Sequence, residues 1–423
     1  MKLLVIGGGG REHAVIRSLR KNPDVETIYA LPGNGGIAAD AECFPVKATD
    51  IPGILSFVKE HPVDFAVVTP DDPLVLGCVD ALEKMGIPCF GPRKNAAIIE
   101  GSKAFSKDLM KKYGIPTAAF ASFTDEQEAL SYLDTQKAPI VVKADGLALG
   151  KGVIIAQTLD EAKEAVHSMM SEGRFGDSGK CVVIEEFLTG PEVSVLAFTD
   201  GETMVPMVSS MDHKRALDGD EGLNTGGMGT VAPNPYYTRE VAERCMKEIF
   251  LPTMNAMNQE GRTFKGCLYF GLMITPDGPK VIEYNCRFGD PETQVVLPLL
   301  ESDLLTIMQA VSQGNLKDVS VKFRDGFCCC VVAASEGYPV SYKKGYEITL
   351  PETGDDTDIF IAGAKKDDQG RLLTDGGRVL GAVGRGNTLQ EALDKAYAVA
   401  GQVRFENMYY RKDIGQRALK ALN

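Results

Sequence analysis

Hydrophobic and polar positions alternate in two ways along the first hundred residues. Apolar runs at Lys2–Ile6, Glu26–Leu31 and Phe65–Thr69 predict buried β-strands, whereas Arg11–Lys21 and Leu74–Met85 have the spacing of helices. A chain that alternates strand and helix in this way favours a parallel sheet covered by helices. We therefore predict an N-terminal α/β domain over residues 1–102.

The pattern changes after Lys103, where a helix is followed by shorter strands. PIVVK (139–143) and GVIIAQ (152–157) flank a glycine-rich turn, and a helix over Leu159–Ser171 and a strand, CVVIEEF, come next. These elements predict a small α+β subdomain near 121–187 within a larger unit, 103–325. The strands CCCVVAAS, YEITL, IFIAGA and RVLGAVG and a helix near Leu389–Gln402 predict a separate C-terminal domain, 326–423.

Composition places the chain among ordinary multidomain proteins. It has 423 residues, of which 44% are hydrophobic and 24% charged. A formal net charge of −13 argues against binding to nucleic acid or to a membrane surface. The first residues do not form a signal peptide, and no apolar run approaches the roughly 18 residues that span a membrane. Ten cysteines without a C-x-x-C pair predict reduced thiols in a cytoplasmic protein.

The segment VIEYNCRFGDPETQ (281–294) carries polar residues at alternate positions of an expected strand. Glu283, Asn285 and Arg287 are predicted to share one face, with Tyr284 and Cys286 on the other. A carboxylate and an amide oxygen suit Mg²⁺ that phosphates already hold, and an arginine can bind a carboxylate or phosphate. An edge strand with a surface salt bridge would have the same pattern, so this segment alone leaves both interpretations open.

The segment GGGGREH (7–13) lies between a predicted strand and a predicted helix, where backbone amides can receive an anion. It does not fit a dinucleotide-binding fingerprint, because Glu12 stands at the position of the third glycine and no acid follows the second strand. An NAD-linked oxidoreductase is therefore disfavoured. Binding of a smaller phosphate ligand and a simple tight turn both remain open.

The segment DGLALGKG (145–152) resembles a phosphate-binding loop but is not a Walker A motif. Three residues separate Gly146 from Gly150, Gly152 replaces the Ser/Thr, and a strand follows instead of a helix. A glycine-rich hairpin can cover phosphates with its amides, and Lys143 would add a cation. Farther on, Glu185, Glu186 and Glu192 surround an expected crossing between domains, where a carboxylate can accept from ribose hydroxyls. Glutamates near a turn also commonly form a solvated surface.

Taken in order, the motifs resemble the ATP-grasp enzymes and, among them, the phosphoribosylamine–glycine ligase family. The matching segments are GGGGREHA, PGNGG, KADGLALGKGV, EEFLTGPEVS, DHKR, NTGGMG, IEYNCRFGDPETQ, TDGGRVL and YRKDIG, which span nearly the whole chain. The resemblance implies an ATP-grasp fold between an N-terminal parallel-sheet α/β domain and a C-terminal mixed α/β domain. It implies ATP-dependent ligation of glycine to 5-phosphoribosylamine through glycyl phosphate, a step of purine synthesis.

The resemblance also implies roles for individual residues. Arg287, Asp212 and Lys143 are expected at the reacting groups, with Arg287 on the substrate carboxylate and Asp212 on the glycine amine. Glu283 and Asn285 are expected to bind Mg²⁺ or Mn²⁺. The expected ATP-binding residues are Lys103, Lys143, the lid residues Gly150, Lys151 and Gly152, the adenine-binding edge with Glu185, Glu186 and Leu188, and the ribose acid Glu192. The substrate is further expected to contact Gly9, Gly10, Asn34 and Pro291.

Two departures from the family and several alternatives stay open. TVAP (230–233) replaces the usual A-Y-S-P, and PDDPL (70–74) replaces P-E-A-P-L, which leaves the roles of Asp71 and Asp72 in doubt. An ATP-grasp carboxylase acting on bicarbonate is the alternative within the fold, and a catalytically silent nucleotide-binding scaffold is the alternative outside catalysis. We expect a cytoplasmic monomer whose partners are small molecules, with phosphoribosylamine handed over by an upstream enzyme as a further possibility.

Overall fold

A computed structural model describes residues 1–147 and 152–422 of the chain. The N-terminal strands form a parallel sheet in the order β3-β2-β1-β4-β5, as the alternating pattern predicts. The strands are β1 (Lys2–Gly7), β2 (Thr27–Pro32), β3 (Glu42–Cys43), β4 (Phe65–Val68) and β5 (Cys89–Phe90). The helices are α1 (Gly10–Leu19), α2 (Ile51–Glu60), α3 (Asp71–Leu76), α4 (Cys78–Lys84) and α5 (Lys94–Gly101).

From β1 the chain proceeds to β2 and β3 on one side, and it then crosses over to β4 and β5 on the other side of β1. The order of strands therefore reverses between the neighbouring strands β1 and β4. In sheets of this kind, ligands bind beyond the carboxyl ends of the strands at such a point. One difference from the predicted elements lies nearby, because the single helix expected around Leu74–Met85 is two helices, α3 and α4. Gly77 between them has φ +90°, a left-handed conformation that ends the first helix.

The predicted small subdomain is an antiparallel sheet in the order β6-β9-β7-β8 with two helices. Its strands are β6 (Phe120–Phe123), β7 (Ile140–Ala144), β8 (Val153–Ala156) and β9 (Val182–Glu186). Helix α6 (Lys103–Tyr113) precedes the sheet. Helix α7 (Glu126–Leu133) lies between β6 and β7, and α8 (Leu159–Met170) lies between β8 and β9. The subdomain has an apolar cluster of its own, which includes Ala129, Val142, Val166 and Ile184.

The long sheet of the central region is antiparallel, in the order β11-β10-β16-β17. Its strands are β10 (Glu192–Thr199), β11 (Met204–Pro206), β16 (Gly266–Thr275) and β17 (Gly278–Asn285), and the hairpin β13 (Arg215–Leu217) and β14 (Glu221–Asn224) projects beside it. The helices are α9 (Arg239–Cys245), α10 (Leu251–Gln259), α11 (Thr293–Val296) and α12 (Leu304–Gln313). A π-helical turn over Met246–Phe250 joins α9 to α10.

The C-terminal sheet recruits two strands from the central region. Its order is β12-β15-β18-β22-β19, with β23 on β18, and β12 (Met211–Asp212) and β15 (Gly229–Ala232) come from before the expected border at 325. The remaining elements are β18 (Phe327–Ser335), β19 (Thr357–Ile361), β20 (Ala364–Lys366), β21 (Leu372–Thr374), β22 (Arg378–Gly386), β23 (Met408–Tyr409), α13 (Leu389–Ala400) and α14 (Gln416–Leu422). The pairing fixes Asp212 next to the C-terminal sheet.

Two expectations about the C-terminal region have different outcomes. Cys328–Cys330 lie in a fully buried strand, and all ten cysteines are free thiols. The strand expected at YEITL is wrong, because this segment makes only isolated bridges, Glu347 to Leu373 and Thr349 to Arg404. In the part of the chain that the structure describes, no helix has the length and apolarity to cross a bilayer.

Candidate active site

A cleft with a volume of about 640 Å³ lies between the small sheet and the long central sheet. Strands β7, β8 and β9 contribute one wall, and β17 with the segment after it contributes another. Helices α5 and α6 add Glu100, Lys103 and Lys107. The cleft therefore gathers charged side chains from regions that are far apart in the sequence.

Strand β17 presents its alternate residues to this cleft, as its pattern predicts. Glu283, Asn285 and Arg287 line the cleft. Cys286 is 0% exposed and lies in the main apolar core, as does Tyr284, which is 4% exposed and also borders the cleft. The strand ends at Asn285, so Arg287 follows in a bend and not in the strand itself. β17 is an edge strand, but its polar residues line a cavity and not an open surface.

Arg287 is held between two carboxylates. Its Nη2 atom lies 3.0 Å from Glu100 Oε1 and 3.6 Å from Asp71 Oδ2. Burial raises the pKa of Glu100, whereas Arg287 and Arg11, against the effect of burial, hold the pKa of Asp71 below its ordinary value. Asp71, whose role the sequence leaves in doubt, thus contacts a predicted site residue.

Two buried lysines share one buried glutamate. Lys143 Nζ lies 3.0 Å from Glu185 Oε1 and donates to the carbonyl of Ile282 at 3.2 Å, while Lys107 Nζ lies 3.0 Å from Glu185 Oε2. The Glu185 side chain is 4% exposed. Burial lowers the pKa of Lys107 to about 8. The Glu185 carboxylate therefore pairs with both lysines.

Lys103 lies at the start of α6, close to the glycine-rich hairpin. Its Nζ donates to the carbonyl oxygen of Gly146, and burial lowers its pKa. Asp145 accepts from the backbone N–H of Ala104 at 3.1 Å and from Ser102 Oγ at 3.2 Å, which ties the hairpin to the helix. The predicted lid residues Gly150 and Lys151 lie outside the described residues, whereas Gly152, Glu186 and Leu188 line the cleft.

Lys214 joins the ribose-acid candidate to the metal-ligand candidate. Its Nζ lies 3.4 Å from Glu192 Oε2 and 3.7 Å from Glu283 Oε1. The carboxylate of Glu192 raises the pKa of Lys214, and Lys214 in turn, against the effect of burial, lowers the pKa of Glu283. Lys214 thus forms an ion pair with each of the two carboxylates.

Asp212 and Glu292 form a second acidic centre beside Lys214. Glu292 is 3% exposed, and its Oε1 accepts from Tyr269 Oη at 3.1 Å. Asp212 Oδ1 accepts from the backbone N–H of His213 at 2.7 Å. Burial raises the pKa of both carboxyl groups, and the charge of Glu292 raises that of Asp212 further. A cationic ligand group placed between them would relieve this repulsion.

A second cavity, of about 520 Å³, lies at the carboxyl ends of β1 and β2. Gly7, Gly8, Gly9, Arg11, Lys47 and Asp290 are among its lining residues. The backbone of the Gly7–Gly9 segment lies so close to Gly33 that a Cβ atom at Gly8 would collide with the carbonyl oxygen of Gly33. This contact explains why the glycine runs of residues 7–10 and 32–36 occur together.

The side chain of Asn34 is fully engaged within the protein, and the substrate contact expected of this residue stays a prediction for its backbone. Its Nδ2 donates to the carbonyls of Gly8 (3.0 Å) and Ile361 (2.8 Å), and its Oδ1 accepts from the amides of Gly36 and Ile37, both at 2.8 Å. These four bonds use the full capacity of the side-chain amide. Asn34 therefore shapes the loop and does not offer its side chain to a ligand.

Other residues expected at the substrate differ in what they can offer. The N–H of Gly9 is taken by Glu12 Oε2 at 2.6 Å, Gly10 and Pro291 are buried, and Gly10 packs close to Gln294. The amide of Arg11 meets Asp290 Oδ2 at 3.4 Å. The loop thus places its remaining amides, together with Arg11 and Lys47, around the second cavity.

The loop is also bound to the C-terminal domain through His13. His13 is 1% exposed, its Nε2 lies 3.0 Å from Asp40 Oδ2, and its Nδ1 accepts from the backbone N–H of Ile361 at 2.8 Å. Burial lowers the pKa of His13. Asn34 donates to the carbonyl of Ile361. The backbone N–H and C=O groups of Ile361 are therefore both hydrogen-bonded to the glycine-rich segments.

The donor set fits a metal ion that phosphates also coordinate. Glu283 and Asn285 offer one carboxylate and one amide oxygen to the same cleft as the lysines. Among residues 1–147 and 152–422, no group of three or more His, Cys, Asp or Glu side chains is arranged to hold a metal. Mg²⁺ is suited to this situation, because it keeps several waters and commonly takes one or two protein ligands.

Sequence reasoning missed four charged residues of the site: Glu100, Lys107, Lys214 and Glu292. Lys107 and Glu100 are buried in helices that otherwise pack apolar side chains, and Glu292 stands at the start of a buried run. A charge within an apolar helical pattern is the signal that marks Glu100 and Lys107, since buried charges require partners. The partners themselves cannot be read from the pattern.

Two sheets that enclose a cleft, with lysines on one side and a Glu-x-Asn pair on the other, define an ATP-grasp enzyme. Family models agree with this class. Residues 1–100 match the N domain of phosphoribosylglycinamide synthetase, 101–293 its ATP-grasp (A) domain and 328–417 its C domain. The chain belongs to the phosphoribosylglycinamide synthetase family, whose members are named phosphoribosylamine–glycine ligase.

Individual relatives support the same assignment. The chain is 47% identical over 414 residues to the phosphoribosylamine–glycine ligase of Caldanaerobacter subterraneus, covering 98% of this chain and 99% of the relative. It is 48% identical over 423 residues to that of Vibrio vulnificus, covering 99% of each.

Solved structures show the fold. The phosphoribosylamine–glycine ligase of Thermotoga maritima matches with a TM-score of 0.88 and 37% identity, over 98% of this chain and 100% of that one. Biotin carboxylase from Campylobacter jejuni matches with a TM-score of 0.76 at 14% identity, over 97% of this chain and 92% of that one, which shows a shared fold alone.

Proposed function

We propose that the chain joins glycine to 5-phosphoribosylamine with hydrolysis of ATP, giving glycinamide ribonucleotide, ADP and phosphate. The observation that carries this proposal is the gathering of Lys103 and Lys143 with Glu283, Asn285 and Arg287 around one cleft. Full-length identity of 47–48% to enzymes with this name supports it.

ATP is proposed to occupy the cleft between the two sheets. Lys103 and Lys143 neutralise its phosphates, the backbone from Glu186 to Leu188 receives adenine, and Glu192 accepts from ribose hydroxyls. Glu283 and Asn285 hold Mg²⁺ or Mn²⁺, which shields the phosphate charges when it is bound. The lid residues Gly150, Lys151 and Gly152 are proposed to cover the phosphates.

Glycine is proposed to lie between Arg287 and the acidic centre. The guanidinium of Arg287 binds the carboxylate, while Asp212 and Glu292 receive the ammonium group. Such an arrangement is supported by the raised pKa values of the two acids, since a bound cation is what would favour their charged forms. The ribose phosphate is proposed to bind in the second cavity, near Arg11, Lys47 and the loop that contains Gly9 and Gly10.

The reaction needs positioning and charge stabilisation more than a protein nucleophile. A carboxylate oxygen of glycine attacks the γ-phosphorus and the bond to ADP breaks, which gives glycyl phosphate. The amine of phosphoribosylamine then attacks the acyl carbon, the amine loses a proton, and phosphate leaves. Arg287 orients the attacking carboxylate, and Lys143 stabilises the charge that develops on the transferred phosphoryl group.

The experiment is ADP release by the full chain with ATP, Mg²⁺, glycine and freshly generated phosphoribosylamine. We expect release to require both glycine and the amine, and mass spectrometry to detect glycinamide ribonucleotide. Asp212→Asn should lose turnover while it still binds ATP. Release that depends on bicarbonate instead of glycine would refute the ligase proposal in favour of the carboxylase.

The domain borders and the cellular setting are part of the same proposal. We place units at 1–102, 103–325 and 326–423, with a lid subdomain at 121–187. The net charge of −13 supports a cytoplasmic enzyme that acts on small molecules without nucleic acid or membranes. We propose a monomer, which size-exclusion chromatography with light scattering tests directly.

A further inference from the structure

One buried carboxylate contacts three consecutive residues at the end of β17. Glu100 Oε1 lies 3.0 Å from Arg287 Nη2, and Glu100 Oε2 accepts from the backbone N–H of Cys286 at 2.7 Å. The Glu100 side chain is 8% exposed. Glu100 is on α5, remote in sequence from the segment that it holds, and no role in the proposed reaction has been given to it above.

The third contact involves the side-chain amide of Asn285. This amide satisfies its neighbours in one orientation, in which Nδ2 donates to Glu100 Oε1 at 2.9 Å and to the carbonyl of Tyr284 at 3.2 Å. The opposite orientation would turn Oδ1 toward two oxygen acceptors. With Nδ2 used in this way, Oδ1 is the atom that remains for a cleft ligand.

We propose that Glu100 is a positioning residue that sets two groups of the active site at once. It orients Asn285 so that its oxygen, and not its nitrogen, is offered to the metal ion of the nucleotide. It also fixes the guanidinium of Arg287 for the substrate carboxylate. The inference rests on the proposed function for both roles, but the orientation of the amide bears on nucleotide binding alone.

The physical reason is that an asparagine has two amide orientations of nearly equal shape, and only one is useful to a cation. A carboxylate accepts hydrogen bonds and cannot donate, so Glu100 selects the orientation with nitrogen toward itself. A glutamine at position 100 has both a donor and an acceptor and would lose that selectivity. Partners that orient metal ligands typically affect metal affinity or activity by about 10- to 100-fold.

The test compares Glu100→Gln with a matched control, Asp200→Asn. Asp200 is also a buried acid, 3% exposed, and it accepts from the backbone amides of Thr203 (2.8 Å) and Leu316 (2.9 Å), but it does not line the cleft. Glu100→Gln should raise the Mg²⁺ concentration needed for ATP binding, measured by calorimetry without glycine, by about 10-fold or more. It should also raise the KM for glycine. Asp200→Asn should lower the melting temperature and change neither quantity.

A double variant makes the orientation argument sharper. Asn285→Asp places a carboxylate against Glu100 and should be severely impaired in Mg²⁺-dependent ATP binding. Adding Glu100→Gln places an amide at position 100, which can donate to the carboxylate at position 285. Glu100→Gln/Asn285→Asp should therefore bind Mg-ATP better than Asn285→Asp alone. If the double variant is as weak as the product of the two single effects, the proposed orientation is wrong.

A measurement on the unchanged protein covers the case in which the Glu100 variants do not fold. The NMR signals of the Asn285 side-chain amide, identified by their loss in Asn285→Asp, should exchange with solvent more slowly than those of exposed asparagines. Exchange as fast as at exposed sites would overturn the proposal, as would Glu100→Gln behaving like Asp200→Asn. If wild-type protein binds Mg-ATP but lacks glycine-dependent turnover, the proposed function fails while the amide experiments still decide the role of Glu100.

Discussion

Replacing Lys143 by Met removes a buried ammonium from the cleft and leaves a side chain of similar length. The fold should survive, because Glu185 keeps Lys107 as a partner at 3.0 Å and is not left as a lone buried charge. Removal of one member of an isolated buried pair costs about 3–5 kcal/mol. With Lys107 in place we expect a smaller loss of unfolding free energy, about 1–2 kcal/mol, which urea denaturation measures.

The effect on ATP should be larger. Lys143 is 5% exposed, so its contact with a phosphate is made away from bulk water and is lost in full. A charge-assisted hydrogen bond of this kind contributes about 1.5–3 kcal/mol, which corresponds to a rise in the KM for ATP of about 10- to 150-fold. Initial rates of ADP release at saturating glycine and phosphoribosylamine measure it.

Lys107→Met is the matched control, since Lys107 contacts the same carboxylate and also donates to Thr117 Oγ1 at 2.7 Å. It should lose a comparable amount of stability with a smaller change in KM. An unchanged KM in Lys143→Met would refute the phosphate contact. Equal rises in the KM for ATP in both variants would show that loss of the pairing with Glu185, and not loss of the Lys143 ammonium itself, causes the change.

Four further predictions concern the cleft, the metal, the N-terminal loop and pH. Arg287→Lys should raise the KM for glycine more than that for ATP, because a point charge cannot replace paired donors; a change in ATP affinity alone would contradict this. Titration of Mg²⁺ into nucleotide-free protein should show negligible binding, since strand Gly266–Ile274 contains no acid to add to Glu283 and Asn285. Micromolar binding in that titration would reveal a missed ligand. Glu283→Gln should reduce turnover by orders of magnitude at nearly constant Tm. Calorimetry should detect no binding of NAD or NADP at Gly7–His13. Burial lowers the pKa of His213 from 6.5 to about 4. The free energy of unfolding is therefore highest above pH 6.5 and falls by about 3 kcal/mol as the pH drops toward about 4, because only the unfolded chain takes up the proton in this range. Urea unfolding across this range should show a weaker pH dependence in His213→Gln.

The parts of the site that could be predicted are those whose signal is local. The alternation of Glu283 and Asn285 follows from strand periodicity and places both in the cleft, whereas Arg287 reaches the cleft from the bend after the strand. The failure of GGGGREH as a dinucleotide fingerprint follows from Glu12 and from the missing acid after the second strand, and Glu12 accepts from the backbone N–H of Gly9 in its own loop. Such inferences need only neighbours in the chain.

The remainder depends on contacts between distant segments. Glu100 meets Arg287, and Asn34 meets Ile361, across separations that no periodicity encodes. Asn34 is instructive because the family resemblance implied a ligand contact, whereas the four hydrogen bonds of its side chain are all internal. The break at Gly77 was missed for a similar reason, since the apolar spacing on both sides continues through it.

The grip of His13 and Asn34 on Ile361 has a consequence for how the protein is made. On the ribosome, strands β1 to β4 emerge early, but the glycine-rich loop lacks its backbone partner until synthesis passes Ile361. The catalytic unit therefore matures late, when most of the chain has already left the exit tunnel. A gene truncated before β19 would leave the buried imidazole and amide of the anchoring loop exposed to solvent and the loop without a fixed shape.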